Sequence, residues 1–212
     1  MKGHFDFGHP QIIAYIMSEA IQAYEKALGN QNERNSKNIQ EQLRCGKKYI
    51  QSYGKELLPK GIYQFSKEAH FHPLELKGAL PCCELVFLLS QSERQDEELL
   101  PLLRTAVMDG TRQYIAKQML PILYQTYVGE SIPFISPYFG PGLYSAKLGE
   151  LEEYYSYLQV TSELATLKGD MLEPLSSFIG AIYGLEKAMP ISPCITCKGQ
   201  SNCQFCMLNH EE

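Results

Sequence analysis

The chain has 212 residues and a formal net charge of −5, from 19 basic and 24 acidic side chains. Such a balance repels phosphate backbones and excludes nucleic acid as a default partner. Hydrophobic residues at 44% against 20% charged support a packed core and exclude global disorder.

The opening MKGHFDFGHP has no long apolar stretch after Lys2, so no secretion signal is expected. The longest apolar run, Leu85 to Leu89, has the length of a strand and not of a membrane span. A cytoplasmic protein with no membrane partner is the expectation.

Residues 11–28 predict a helix with Ile12, Ile13, Ile16, Ala20, Ala23 and Ala27 at helical spacing, between Pro10 and Gly29. After a polar connection at 30–37, a second helix is predicted over 38–56, with Ile39, Leu43, Tyr49 and Ile50 facing inward. Cys45 there reads as a small buried hydrophobe. Residues 59–76 alternate and read as extended, which would put His70 and His72 on one side of a strand, as a surface pair or as metal ligands. The largely apolar stretch from Cys83 to Ser90, with its continuous run Leu85–Leu89, predicts a strand buried on both faces, with Cys82 and Cys83 as packing residues.

Acidic Glu93, Asp96, Glu97 and Glu98 suit the first turn of a helix, and 96–127 reads as helical, broken at Gly110 and Pro121. Residues 131–144, SIPFISPYFGPGLY, carry three prolines and two glycines and predict a structured loop, either a plain turn or a ligand-binding element. A further helix is expected over 145–158, and a short strand and turn over 169–185. This order lacks regular β–α alternation, so the fold class predicted is α+β. No GxGxxG, GxxxxGK[ST] or GxSxG pattern occurs.

The tail holds Cys194, Cys197, Cys203 and Cys206 as two CxxC knuckles joined by five residues. Each knuckle turns two thiolates toward one point, and four thiolates complete a tetrahedral zinc or a cubane iron–sulfur cluster. The short joint favours iron–sulfur over zinc, and two disulfides are the third possibility. The domain reading is 1–190 as one α+β body and 191–212 as a four-cysteine metal-binding tail.

Three stretches in order resemble the reactivation domain of vitamin B12-dependent methionine synthase. Leu58–Tyr63 leads into Leu80–Leu89, similar to the family's lead-in and central strand. Ala106–Gly110 resembles its aspartate-containing helix, and Ser136–Gly142 its proline–glycine–tyrosine loop. Met171–Gly180 resembles its methionine, proline and serine strand, and stand-alone relatives often end in a cysteine-rich tail.

The resemblance implies a helmet-like fold around a mainly antiparallel sheet with flanking helices. It also implies an accessory role in a corrinoid methyltransferase system: docking on a corrinoid protein or methyltransferase and helping to reduce or remethylate cobalamin. The family transfers methyl from S-adenosylmethionine, which would make the chain part of an enzyme. By the same resemblance Tyr138, Phe139, Gly140 and Gly142 would line the cofactor cleft. The family's loop arginine falls on Phe134, its loop tyrosine on Phe139 and a helix glutamate near Lys117, so weak or absent S-adenosylmethionine binding is expected. The alternative is a non-catalytic binding module with a zinc-stapled tail.

Overall fold

The computed structural model describes residues 1–29, 37–91, 100–144 and 146–189. It is an α+β protein with a mainly antiparallel five-stranded sheet and flanking helices. The strands are β1 (Lys2–His4), β2 (Lys60–Ser66), β3 (Pro81–Ser90), β4 (Phe134–Ile135) and β7 (Phe178–Leu185), in the order β1-β2-β3-β7-β4. A separate hairpin pairs β5 (Thr166–Lys168) with β6 (Met171–Glu173). The chain divides into two compact units, one holding the sheet and one helical.

In the sheet unit β3 is the middle strand, and Leu85, Val86, Phe87, Leu88 and Leu89 have no exposure. Burial of both faces is what a continuous apolar run requires. On one face Val86 and Leu88 of β3 join Ile179, Ala181 and Tyr183 of β7 under Leu151, Tyr154 and Leu158 of α5 (Leu151–Leu158). The 8-residue β7 is longer than the short strand and turn expected over 169–185, because that stretch divides into β6 and β7. Its two glycines hide the strand pattern, yet Gly180 and Gly184 sit where Phe139 and Cys83 press closest.

The segment between β2 and β3 departs from the expected extended run. After Ser66 it leaves the sheet, makes a short 3-10 turn at Leu74–Leu76 and returns at Pro81. His70 and His72 therefore do not share a strand face.

The helical unit comprises α1 (Pro10–Gly29), α2 (Lys37–Tyr53) and α3 (Leu100–Tyr114). Ile16, Ala20, Tyr24 and Leu28 recur every fourth residue of α1 and are buried. Helix α3 passes through Gly110 unbroken. Gly110 lies against the α1 backbone, where a Cβ would stand 2.8 Å from the Ala20 nitrogen. What looked like a helix breaker is a helix-contact residue. The Pro121 break does exist: a π-helical turn, Ile115–Met119, precedes α4 (Leu120–Val128), and Pro121 occupies its first turn. Cys45 is exposed, not buried, and its thiol meets Glu41 at 3.5 Å. The polar face of α2 claims it. No described helix is long and apolar enough to cross a membrane.

Candidate functional site

The 131–144 segment is partly sheet. Phe134 and Ile135 form β4 and pair with Leu185 and Gly184 of β7. Pairing continues beyond β4: Ser136 N–H donates to the Tyr183 carbonyl at 2.9 Å, and Tyr183 N–H donates to Ser136 Oγ at 3.0 Å. Phe139 and Ala181 then exchange backbone bonds at 2.8 and 2.7 Å. Prolines 133, 137 and 141 lack an N–H and suit an edge strand, which leaves half its backbone unpaired.

Among the four loop residues assigned to the cleft, one is exposed, one half-buried and two buried. Phe139 is 1% exposed and packs its ring against Tyr183 and Tyr144 in the sheet core. Its expected place at the cleft surface is corrected: the bridge to Ala181 turns it inward. Gly140 is also buried, with a virtual Cβ only 2.7 Å from the Ile179 carbonyl oxygen. Tyr138 is half-buried and stands edge-on to Phe178 at 5.0 Å. Gly142 is exposed, and its φ of 80° is one that glycine adopts without strain. The exposed part of the segment is thus Ser131, Pro133, Phe134 and Gly142, with Tyr138 half-exposed.

Beneath the loop lies a polar cluster that sequence reasoning missed. Glu84 interrupts the apolar run of β3 and has no exposure. Its carboxylate accepts the backbone N–H of His70 at 2.9 Å and of Phe71 at 3.0 Å. The Tyr183 hydroxyl donates to the Phe71 carbonyl at 3.2 Å and also interacts with Glu84 and Tyr154. Burial pushes Glu84 above the usual carboxylate range, with the two amides pulling the other way. Burial and the negative Glu84 likewise raise the Tyr154 and Tyr183 hydroxyls. The Phe71 ring stacks on Tyr154 at 3.7 Å, and exposed His70 stacks on Tyr157 at 4.3 Å. A carboxylate without exposure cannot meet a substrate; this one organises the segment around it. The signal for it was a single charged residue inside a continuous apolar strand, which only a hydrogen-bonded role makes affordable.

Cys194, Cys197, Cys203 and Cys206 lie outside the described residues, as do Glu93, Asp96, Glu97 and Glu98. Among the described residues no three His, Cys, Asp or Glu side chains gather as a metal site. His72 is exposed, while Lys117 pairs with Glu19 at 3.4 Å within the helical unit. No protein-family model matches this chain, and no curated protein matches it either.

Proposed function

We propose that this chain is a stand-alone relative of the methionine synthase reactivation domain, serving as an accessory protein of a corrinoid-dependent methyltransferase system. The observation that carries the reading is the Pro/Gly segment laid antiparallel along the buried strand β7, with Tyr138 half-exposed and Gly142 exposed. A half-exposed aromatic and an exposed glycine offer an apolar face with room for close backbone approach, as a corrin edge would need. The helmet-like form of the fold and the cytoplasmic location belong to this proposal.

The residues present do not fit the methyl donor. S-adenosylmethionine carries an amino-acid carboxylate, and the position that the resemblance gives to the family's arginine holds Phe134, 46% exposed and uncharged. No methyl transfer is derived for this chain on its own. The tail donor set does fit a metal: Cys194, Cys197, Cys203 and Cys206 would hold an iron–sulfur cluster, which supplies one-electron transfer, or zinc, which does not.

The apolar Phe134 also favours the second reading, a binding module with a zinc-stapled tail. One experiment separates the two. Anaerobically purified protein is analysed for metal and visible absorption, then mixed with a cob(II)alamin-loaded corrinoid protein and a low-potential electron donor. A brown, iron-containing protein that speeds appearance of the cob(I)alamin band supports the accessory role. A colourless zinc protein without effect on the cobalt leaves the binding module.

A further inference from the structure

The start of β3 carries two adjacent thiols in an arrangement that a regular strand does not allow. Adjacent residues of a strand point to opposite faces. Here Pro81 faces Leu185 and Cys83 faces Gly184, so Cys82 is an extra residue, a β-bulge. Cys82 interacts with the neighbouring Cys83 thiol and with the Tyr124 hydroxyl from α4. The bulge breaks the alternation that would hold the two thiols on opposite faces. Cys83 is buried and Cys82 half-buried, and both are free. Gly184 makes space for the pair: a Cβ there would stand 2.6 Å from Cys83 Sγ.

We propose that Cys82 and Cys83 form a bidentate site for a soft, thiophilic ion of the trivalent-arsenic class. Three alternatives fit less well. A disulfide between neighbours would need Cα atoms about 4.4 Å apart or more, whereas a trans peptide holds them at about 3.8 Å. Zinc wants four ligands, and the described residues supply no third His, Cys, Asp or Glu here. Copper(I) on two thiolates leaves a net negative charge in a site that resists charge: burial and the neighbouring Cys82 push the Cys83 thiol up to about 12. Trivalent arsenic instead takes two sulfurs at a narrow angle and forms neutral As–S bonds.

A group carried on the arsenic has a space to enter. A groove of about 370 Å³ is lined by Pro121, Ile122, Gln125, Thr126, Ser131 and Ile132. Ile132 borders both this groove and the Cys83–Gly184 contact, with a methyl 3.0 Å from the Gly184 Cβ position.

The test uses phenylarsine oxide. Two As–S bonds form, the arsenic–oxygen bond breaks, and the oxygen leaves as water with the two thiol protons; nothing is oxidised. The full chain with C194S, C197S, C203S and C206S retains Cys45, Cys82 and Cys83 as its thiols. It should bind one equivalent, protect two thiols, withstand excess monothiol and release the arsenical to a dithiol. C82A should weaken binding by about a hundredfold or more, the gain of a second tethered contact, while C45A should change nothing. With the native tail, C82A should take up one equivalent fewer than the parent, so the test survives a four-serine chain that fails to fold. Failure of the parent to bind, or equal binding by C82A, overturns the site. Neither outcome touches the corrinoid reading.

Discussion

Glu84 accepts the Phe71 amide at 3.0 Å, so a carboxylate in the central strand fastens a segment thirteen residues before it. The 67–80 segment has little regular structure to hold it. Two amides bound to one carboxylate, with the Phe71 ring stacked on Tyr154, fix its path across the sheet. This anchors α5 and β7 around a polar centre within the core that carries the edge segment 134–139.

Replacing Glu84 by glutamine turns a donor toward one of the two amides, and the expected cost is about 1–3 kcal/mol. The cost should depend on pH. The folded pKa of Glu84 lies above its ordinary 4.5, so the folded state keeps a proton that the unfolded state gives up. The contribution of Glu84 is therefore fully present below about pH 4.5 and is lost as pH rises through the folded value. Urea unfolding from pH 4.5 to 8 should show the gap between parent and Glu84→Gln narrowing with pH. A gap that widens would mean the amides outweigh burial.

The legible parts of the fold were those where burial is uniform. Leu85–Leu89 reads as a central strand because every position is apolar, and α1 because Ile12, Ile13, Ile16, Ala20, Ala23 and Ala27 recur at helical spacing, though of these only Ile16 and Ala20 are fully buried and Tyr24 and Leu28 complete the inner face. The illegible parts depend on partners far away in the chain. Phe178–Leu185 reads weakly because Gly180 and Gly184 yield space to Phe139 and Cys83. His70 and His72 alternate in sequence, but the chain has left the sheet after Ser66 and the His70 amide bonds Glu84, not a neighbouring strand. At the candidate site Gly142 is exposed and Tyr138 half-buried, while Phe139 is claimed by Ala181, a pairing that no local pattern announces.

That division predicts distinct outcomes along one loop. Phe139→Ala should cost about 3–5 kcal/mol, since it empties a core position. Gly140→Ala should lower the melting temperature clearly, because its Cβ meets the Ile179 carbonyl. Tyr138→Ser should leave melting nearly unchanged and weaken association with a corrinoid protein. Calorimetric melting of the three variants checks the order; a Tyr138→Ser variant that unfolds would mark Tyr138 as scaffold.

In the helical unit, Gly110→Ala poses helix propensity against packing. Alanine favours a helix over glycine by about 1 kcal/mol. The Ala20 nitrogen at 2.8 Å and the nearer Ile16 carbonyl leave no room for the methyl, and overpacking costs about 1–3 kcal/mol. Because the obstacles are backbone atoms, the clash should win. A shift of the urea midpoint to lower concentration is expected; a rise would show that the helices separate readily.

The last outcome concerns Phe134. It sits on the edge strand β4, 46% exposed, opposite Leu185. An exposed edge position tolerates a long polar side chain, so Phe134→Arg should fold like the parent. Arginine there would present a two-pronged donor to a carboxylate, and charge-assisted bonds contribute about 1.5–3 kcal/mol. The parent should bind S-adenosylmethionine weakly or not at all. Phe134→Arg should bind it about tenfold to a hundredfold more tightly, whereas Phe134→Leu should match the parent. Titration calorimetry on the three chains decides. Low-micromolar binding by the parent would mean that another cation already holds the carboxylate, and Lys147, exposed a few residues beyond the loop, is the first to replace. If arginine brings no gain, the 134–142 edge does not bind this ligand, and the alignment of Phe134 with the family arginine fails with it.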